Sequence, residues 1–166
     1  MLKRITPRYL LPYLQDFPEG QKFSDRFSEI KEELGLGYKD IEEMTTIGKS
    51  TLSKFKRMNG TRLKTIYKIA IGMQRIPLAL YYKGTAIVYI PDPTEELQFF
   101  TGIGMALRNQ RYRLEELREG LTAKTMVSES MVRKIEAAKP TESSTLERIC
   151  QGLEMIPLYL MQEPLC

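Results

Sequence analysis

Thr65-Ile66-Tyr67-Lys68-Ile69-Ala70-Ile71-Gly72-Met73-Gln74-Arg75-Ile76-Pro77-Leu78 recurs without a gap eighty positions downstream, as Thr145-Leu146-Glu147-Arg148-Ile149-Cys150-Gln151-Gly152-Leu153-Glu154-Met155-Ile156-Pro157-Leu158. Self-similarity at one fixed offset marks a repeated structural unit. The offset carries upstream: Ile47 falls on Val127, Ser50 on Ser130, Leu52 on Val132, Lys54 on Lys134 and Phe55 on Ile135. Further back, Leu34 meets Leu114, Lys31 meets Arg111 and Phe27 meets Leu107. The chain reads as a tandem duplication covering roughly 23–82 and 101–162.

Within each copy the apolar period is helical. Phe23, Phe27, Ile30 and Leu34 mark a first helix; Ile41 and Met44 face inward from a short second one, Leu52 and Phe55 from a third, and Ile66, Ile69, Ala70 and Met73 from a fourth. The second copy repeats this with Ile103, Leu107 and Leu114, then Leu117 and Leu121, then Val132 and Ile135, then Leu146, Ile149, Cys150 and Leu153. Ser128 suits the cap of its third helix, and Met155–Met161 is an apolar tail that suits packing. Between the copies, Gly84 to Thr94 holds a β-branched run bounded by Gly and Pro, the one strong strand signal. Thr94-Glu95-Glu96-Leu97 then has the pattern of a cap and first helical turn. The expected fold is all-α. An N-terminal arm (1–22) precedes a first domain (23–83), a linker with one short strand (84–97) and a second domain (98–166).

Composition narrows the chemistry. The 166 residues are 42% hydrophobic and 28% charged, as in ordinary globular chains. No apolar run approaches the roughly 18 residues of a membrane span, and the start lacks the apolar stretch of a signal peptide, so the expected location is cytoplasmic. With no histidine in the chain, imidazole acid-base catalysis, Ser-His and Cys-His nucleophiles and His-ligated metals are excluded. Cys150 and Cys166 form no CxxC pair, and no phosphate-cradling glycine loop is present. The expectation is a protein without enzyme activity, cofactor or metal.

The net charge of +4 is unevenly placed. Residues 1–90 hold 16 Lys and Arg against 9 Asp and Glu, a net +7, whereas residues 91–166 hold 9 against 12, a net −3. From Met44 to Pro91 there is no acidic residue, yet nine cations: Lys49, Lys54, Lys56, Arg57, Arg62, Lys64, Lys68, Arg75 and Lys83. Such a field attracts phosphate backbones.

The stretch Leu34 to Phe55, with Tyr38-Lys39-Asp40-Ile41 opening one helix and Lys49-Ser50-Thr51-Leu52-Ser53-Lys54 forming the next, resembles the lambda-repressor-like (Cro, XRE) helix-turn-helix family. The second copy, Leu107 through Glu136, is similar to the same family and carries its "IE" ending at Ile135-Glu136. Two departures stand out. The small residue of the turn is Thr46 in one copy and Met126 in the other, and Leu114 to Leu121 fits the family register best with one extra residue.

The resemblance implies tandem four- to five-helix domains and a sequence-specific regulator of double-stranded DNA, of repressor type. The third helix of the first copy would enter the major groove. Lys49, Ser50 and Ser53 would then read bases, with Thr51, Lys54 and Lys56 beside them. Tyr38, Lys39, Arg57, Arg62 and Lys64 would hold phosphates. In the second copy Ser130, Arg133 and Lys134 occupy matching positions, but Glu129 and Glu136 are read as exposed carboxylates that Arg108, Arg111, Arg113 and Arg118 only partly offset. Two arrangements are open: one chain spanning two half-sites, or a homodimer using the first copy from each subunit at sites about 34 Å apart. The rival function is a protein-interaction module, an antitoxin or adaptor that meets a protein partner through the second domain.

Overall fold

The computed structural model describes residues 21–55, 60–85 and 87–162. In the first copy these form α1 (Phe23–Glu33), α2 (Tyr38–Thr45), α3 (Lys49–Lys54) and α4 (Leu63–Gly72), followed by β1 (Ile76–Tyr82) and β2 (Val88–Tyr89). The second copy contributes α5 (Glu96–Arg113), α6 (Arg118–Thr125), α7 (Glu129–Glu136), α8 (Ser143–Gly152) and β3 (Met155–Met161). Helices α2 and α6 start and stop eighty residues apart, so the second copy carries no extra residue relative to the first.

The all-α expectation is overturned by a three-stranded antiparallel sheet of order β2-β1-β3. Each copy's apolar run after its fourth helix, Ile76–Tyr82 and Met155–Met161, is a strand. The chain leaves each helix through a residue in the left-handed region, Gln74 (φ 56°) and Glu154 (φ 57°). Pro77 and Pro157 follow close behind; proline has no N–H to extend a helix. Alternation is missing from these runs because both faces of the sheet are covered. Leu78, Leu80, Tyr159 and Leu160 join the main core, while Ile76, Ala79, Val88, Ile90, Leu158 and Met161 form a second, smaller cluster. The strand expected in the linker is β2. It pairs with β1 through Leu80–Tyr89 and Tyr81–Val88.

The pairing of β1 with β3 closes upon itself under the repeat. Ile76 opposes Met161 and Leu78 opposes Tyr159; shifted by eighty, these become Tyr81 opposite Ile156 and Ala79 opposite Leu158. Arg62 and Glu142, which are equivalents of one another, form a single antiparallel bridge. Around it, Leu63 N donates to Thr141 O at 2.8 Å and Ser143 N to Thr61 O at 2.7 Å. At Pro77 the ladder is interrupted. The carbonyl of Leu160 there accepts from Arg75 Nη1 at 3.0 Å, which removes Arg75 from the surface basic field.

One core serves both copies. Phe23, Phe27 and Phe55 pack with centroids 5.3–6.0 Å apart, and Phe23 meets Tyr159 of the other copy edge to face at 5.6 Å. Fully burying side chains of this size contributes about 1.5–3 kcal/mol each. Cys150, like its equivalent Ala70, is fully buried, and burial pushes its thiol up, so it is a small core residue.

Candidate nucleic-acid interface

The α2–α3 turn is built by one threonine. Thr45 is buried; its Oγ1 donates to Ile41 O at 2.7 Å and accepts from Ile47 N at 3.2 Å. Thr46 then takes φ 62°, and its N–H donates to Glu42 O, ending the helix with a left-handed cap. The second copy repeats each element: Thr125 Oγ1 donates to Leu121 O at 2.8 Å and accepts from Val127 N at 3.2 Å, and Met126 takes φ 60°. Left-handed backbone costs a non-glycine residue about 1–2 kcal/mol; here the turn bonds and the packing beneath hold it. In both copies a glycine lets the fourth helix approach. A Cβ on Gly72 would lie 2.5 Å from Met44 O, and one on Gly152 2.5 Å from Thr125 Cγ2.

Helix α3 follows as a short presented element. Leu52 and Phe55 enter the core, at 1% and 2% exposure, while Lys49, Ser50, Thr51, Ser53 and Lys54 are exposed. Glu42 Oε2 accepts from Lys49 N at 2.9 Å, supplying one of the partners that the first turn of a helix lacks. Ser53 Oγ donates to Ser50 O at 2.9 Å. Lys39 is exposed and Tyr38 half-buried, with Lys31 Nζ 4.5 Å from its ring centroid. Arg62 is exposed at the bridge to Glu142, and Lys64 forms an open ion pair with Glu96 at 3.9 Å. Lys56 and Arg57 lie outside the described residues. Comparison with family models, with characterised proteins and with solved structures gives no match. Geometry and chemistry therefore carry the functional reading.

Charge is arranged differently on the second copy. Glu136 is not an exposed carboxylate: its side chain is 4% exposed and pairs with Arg111 Nε at 2.8 Å and Arg118 Nε at 3.0 Å. Arg111 also donates from Nη1 to Glu116 O at 3.1 Å. Arg111 is enclosed in the fold at 6% side-chain exposure, and Arg118 is half-buried beside the same carboxylate. On the outer face of α7, Glu129 pairs with Arg133 at 2.6 Å, and Ser130 and Lys134 are exposed. Ser128 caps the helix, accepting from Met131 N at 3.2 Å.

Met44 and Leu117, expected to face inward, are 43% and 70% exposed. The inward stripes are instead Ile41–Thr45 and Leu121–Thr125, each an i, i+4 pair whose second member is a threonine. The recurrence of that threonine at the eighty-residue offset was the available signal. Nothing in the sequence pattern marked the Arg62–Glu142 bridge.

Proposed function

We propose that this chain is a sequence-specific binder of double-stranded DNA acting as a transcriptional regulator of repressor type in the cytoplasm, without catalytic activity. The observation that carries the reading is α3, a helix set behind a locked turn with five exposed side chains, all hydrogen-bond donors and none acidic. Lys49, Ser50 and Ser53 would meet base edges in the major groove, and Lys39, Tyr38, Lys54, Arg62 and Lys64 would meet phosphates. Among the described residues no group of His, Cys, Asp and Glu is placed to hold a metal, and no helix is long and apolar enough to cross a membrane.

The test is selection from a random-duplex pool at 50 and 200 mM salt, with the retained DNA sequenced for wild type and for Lys49→Ala with Lys54→Ala. The reading expects an enriched motif whose affinity falls steeply with salt and is lost in the double variant. Absence of enrichment, or weak binding indifferent to both lysines, would overturn it. One observation favours the second reading, a protein-interaction module: Leu117 and Met126, at 70% and 82% exposure, leave apolar side chains uncovered at the two ends of α6.

A further inference from the structure

We propose that the DNA ligand is a single asymmetric site read by one chain, with unlike half-sites assigned to α3 and α7. This rests on the DNA reading above and names its ligand.

Two equivalent segments that pair antiparallel with each other, four of their six residue pairs exchanging with one another under the repeat, are related by a local two-fold axis. That is the isologous arrangement of a symmetric dimer, and here it lies within one chain. It is met twice: at the centre of β1 and β3, between Leu78–Tyr159 and Ala79–Leu158, and at the Arg62–Glu142 bridge. A shared ladder and a shared core hold the copies in one relation, and α3 and α7 are equivalents under the same two-fold. Duplex DNA presents a matching pseudo-two-fold to paired reading helices, usually met by two subunits. This chain carries both helices itself, related to each other by its own two-fold.

A two-fold inside one chain frees the halves to differ, and they differ at the reading surface. Ser50 and Lys54 recur as Ser130 and Lys134, whereas Lys49 becomes Glu129 and Ser53 becomes Arg133. Lysine donates and suits the O6 and N7 acceptors of guanine; glutamate accepts and suits the N4 donor of cytosine. Arg133 screens the Glu129 carboxylate from the backbone phosphates, its Nη2 lying 2.6 Å from Oε1. The half-sites should therefore agree where Ser50/Ser130 and Lys54/Lys134 reach. They should differ, guanine against cytosine, where residues 49 and 129 reach.

The experiment takes the duplex selected by the full-length protein and measures chain-to-duplex stoichiometry by sedimentation, together with the footprint. Selection is then repeated with Lys49→Glu and, separately, with Glu129→Lys. The expected result is one chain per duplex, a footprint over two unequal half-sites about one helical turn apart, and each variant shifting the base preference of one half toward the sequence of the other. Both substituted side chains lie on the outer face, and circular dichroism checks the fold. Two chains on a palindrome, or a selected motif unchanged by Glu129→Lys, would overturn the inference while leaving the DNA reading standing. Failure to select any duplex would overturn both.

Discussion

The two copies agree in backbone and disagree in charge. Left-handed residues fall at equivalent places, Gly35 and Glu115, Thr46 and Met126, Gln74 and Glu154, and the turn threonines make the same bonds to within 0.1 Å. Yet where the second copy buries an Arg111–Glu136–Arg118 cluster, the first has Lys31 over Tyr38. The turn and the apolar stripe specify the unit, and the charged positions between its first and third helices are where the copies diverge. The second copy ties Arg111 and Arg118 to Glu136, whereas Lys49 and Lys54 of the first copy stand exposed on α3.

The sharpest way to break this comparison is to remove the buried charge. Glu136→Ala would take the carboxylate from Arg111, whose side chain is 6% exposed and would keep only neutral partners such as Glu116 O, and breaking a buried pair in this way costs about 3–5 kcal/mol. Lys31→Ala removes only a cation from the face of a half-buried ring, costing about 0.5–1 kcal/mol. Urea denaturation of the two variants should separate them by several-fold in free energy. Similar costs would mean that the second copy's charge cluster is no more structural than its counterpart.

A smaller effect tests the common feature. Thr45→Val and Thr125→Val keep shape but leave the N–H groups of Ile47 and Val127 without their acceptors, which costs about 1–3 kcal/mol each. The two losses should match within about 0.5 kcal/mol. A difference beyond 1 kcal/mol would show that the turns are alike in geometry but not in energy.

Much of this was legible in the residues, and the parts that were not have physical reasons. The repeat and its helices follow from apolar spacing at Phe23, Phe27 and Ile30 and at Leu146, Ile149 and Leu153. The linker strand β2 is legible in its β-branched run, but β1 and β3 are not, because a run buried on both faces shows no period of two; Ile76–Tyr82 and Met155–Met161 look like helix tails until each is seen to be the other's partner. An apolar pattern passes over threonine and so places Met44 inward, although Thr45 satisfies its hydroxyl locally and is buried. Glu136 escapes an apolar pattern for the reverse reason. It stands four residues after Val132, beside the buried stripe of α7, and Arg111 stands four after Leu107 on the inner side of α5, so opposite charges at inward spacing were the clue.

The weakest effect probes the seam between the copies. Glu147 on α8 has its carboxyl pushed up to about 7 from an ordinary 4.5, chiefly because burial penalises the charge; the Tyr159 hydroxyl, donating to Oε2 at 3.1 Å, and Lys22 oppose the shift, and Asp25 adds to it. Asp25 lies on α1 and Lys22 directly precedes it, so this carboxyl titrates where α1 meets the second copy's strand. Its equivalent is Tyr67, which donates to Pro93 O at 2.8 Å. A folded value above the unfolded one means that the folded state binds more protons between pH 4.5 and 7. The stabilisation is full below 4.5 and fades as pH rises through 7. Thermal unfolding of the wild type should therefore lose about 1–2 kcal/mol between pH 5 and 8 from this group, partial exposure reducing the full shift. Glu147→Gln should flatten that slope and be the more stable protein at pH 8. A slope unchanged by the substitution would place the titrating group elsewhere and leave the seam indifferent to pH.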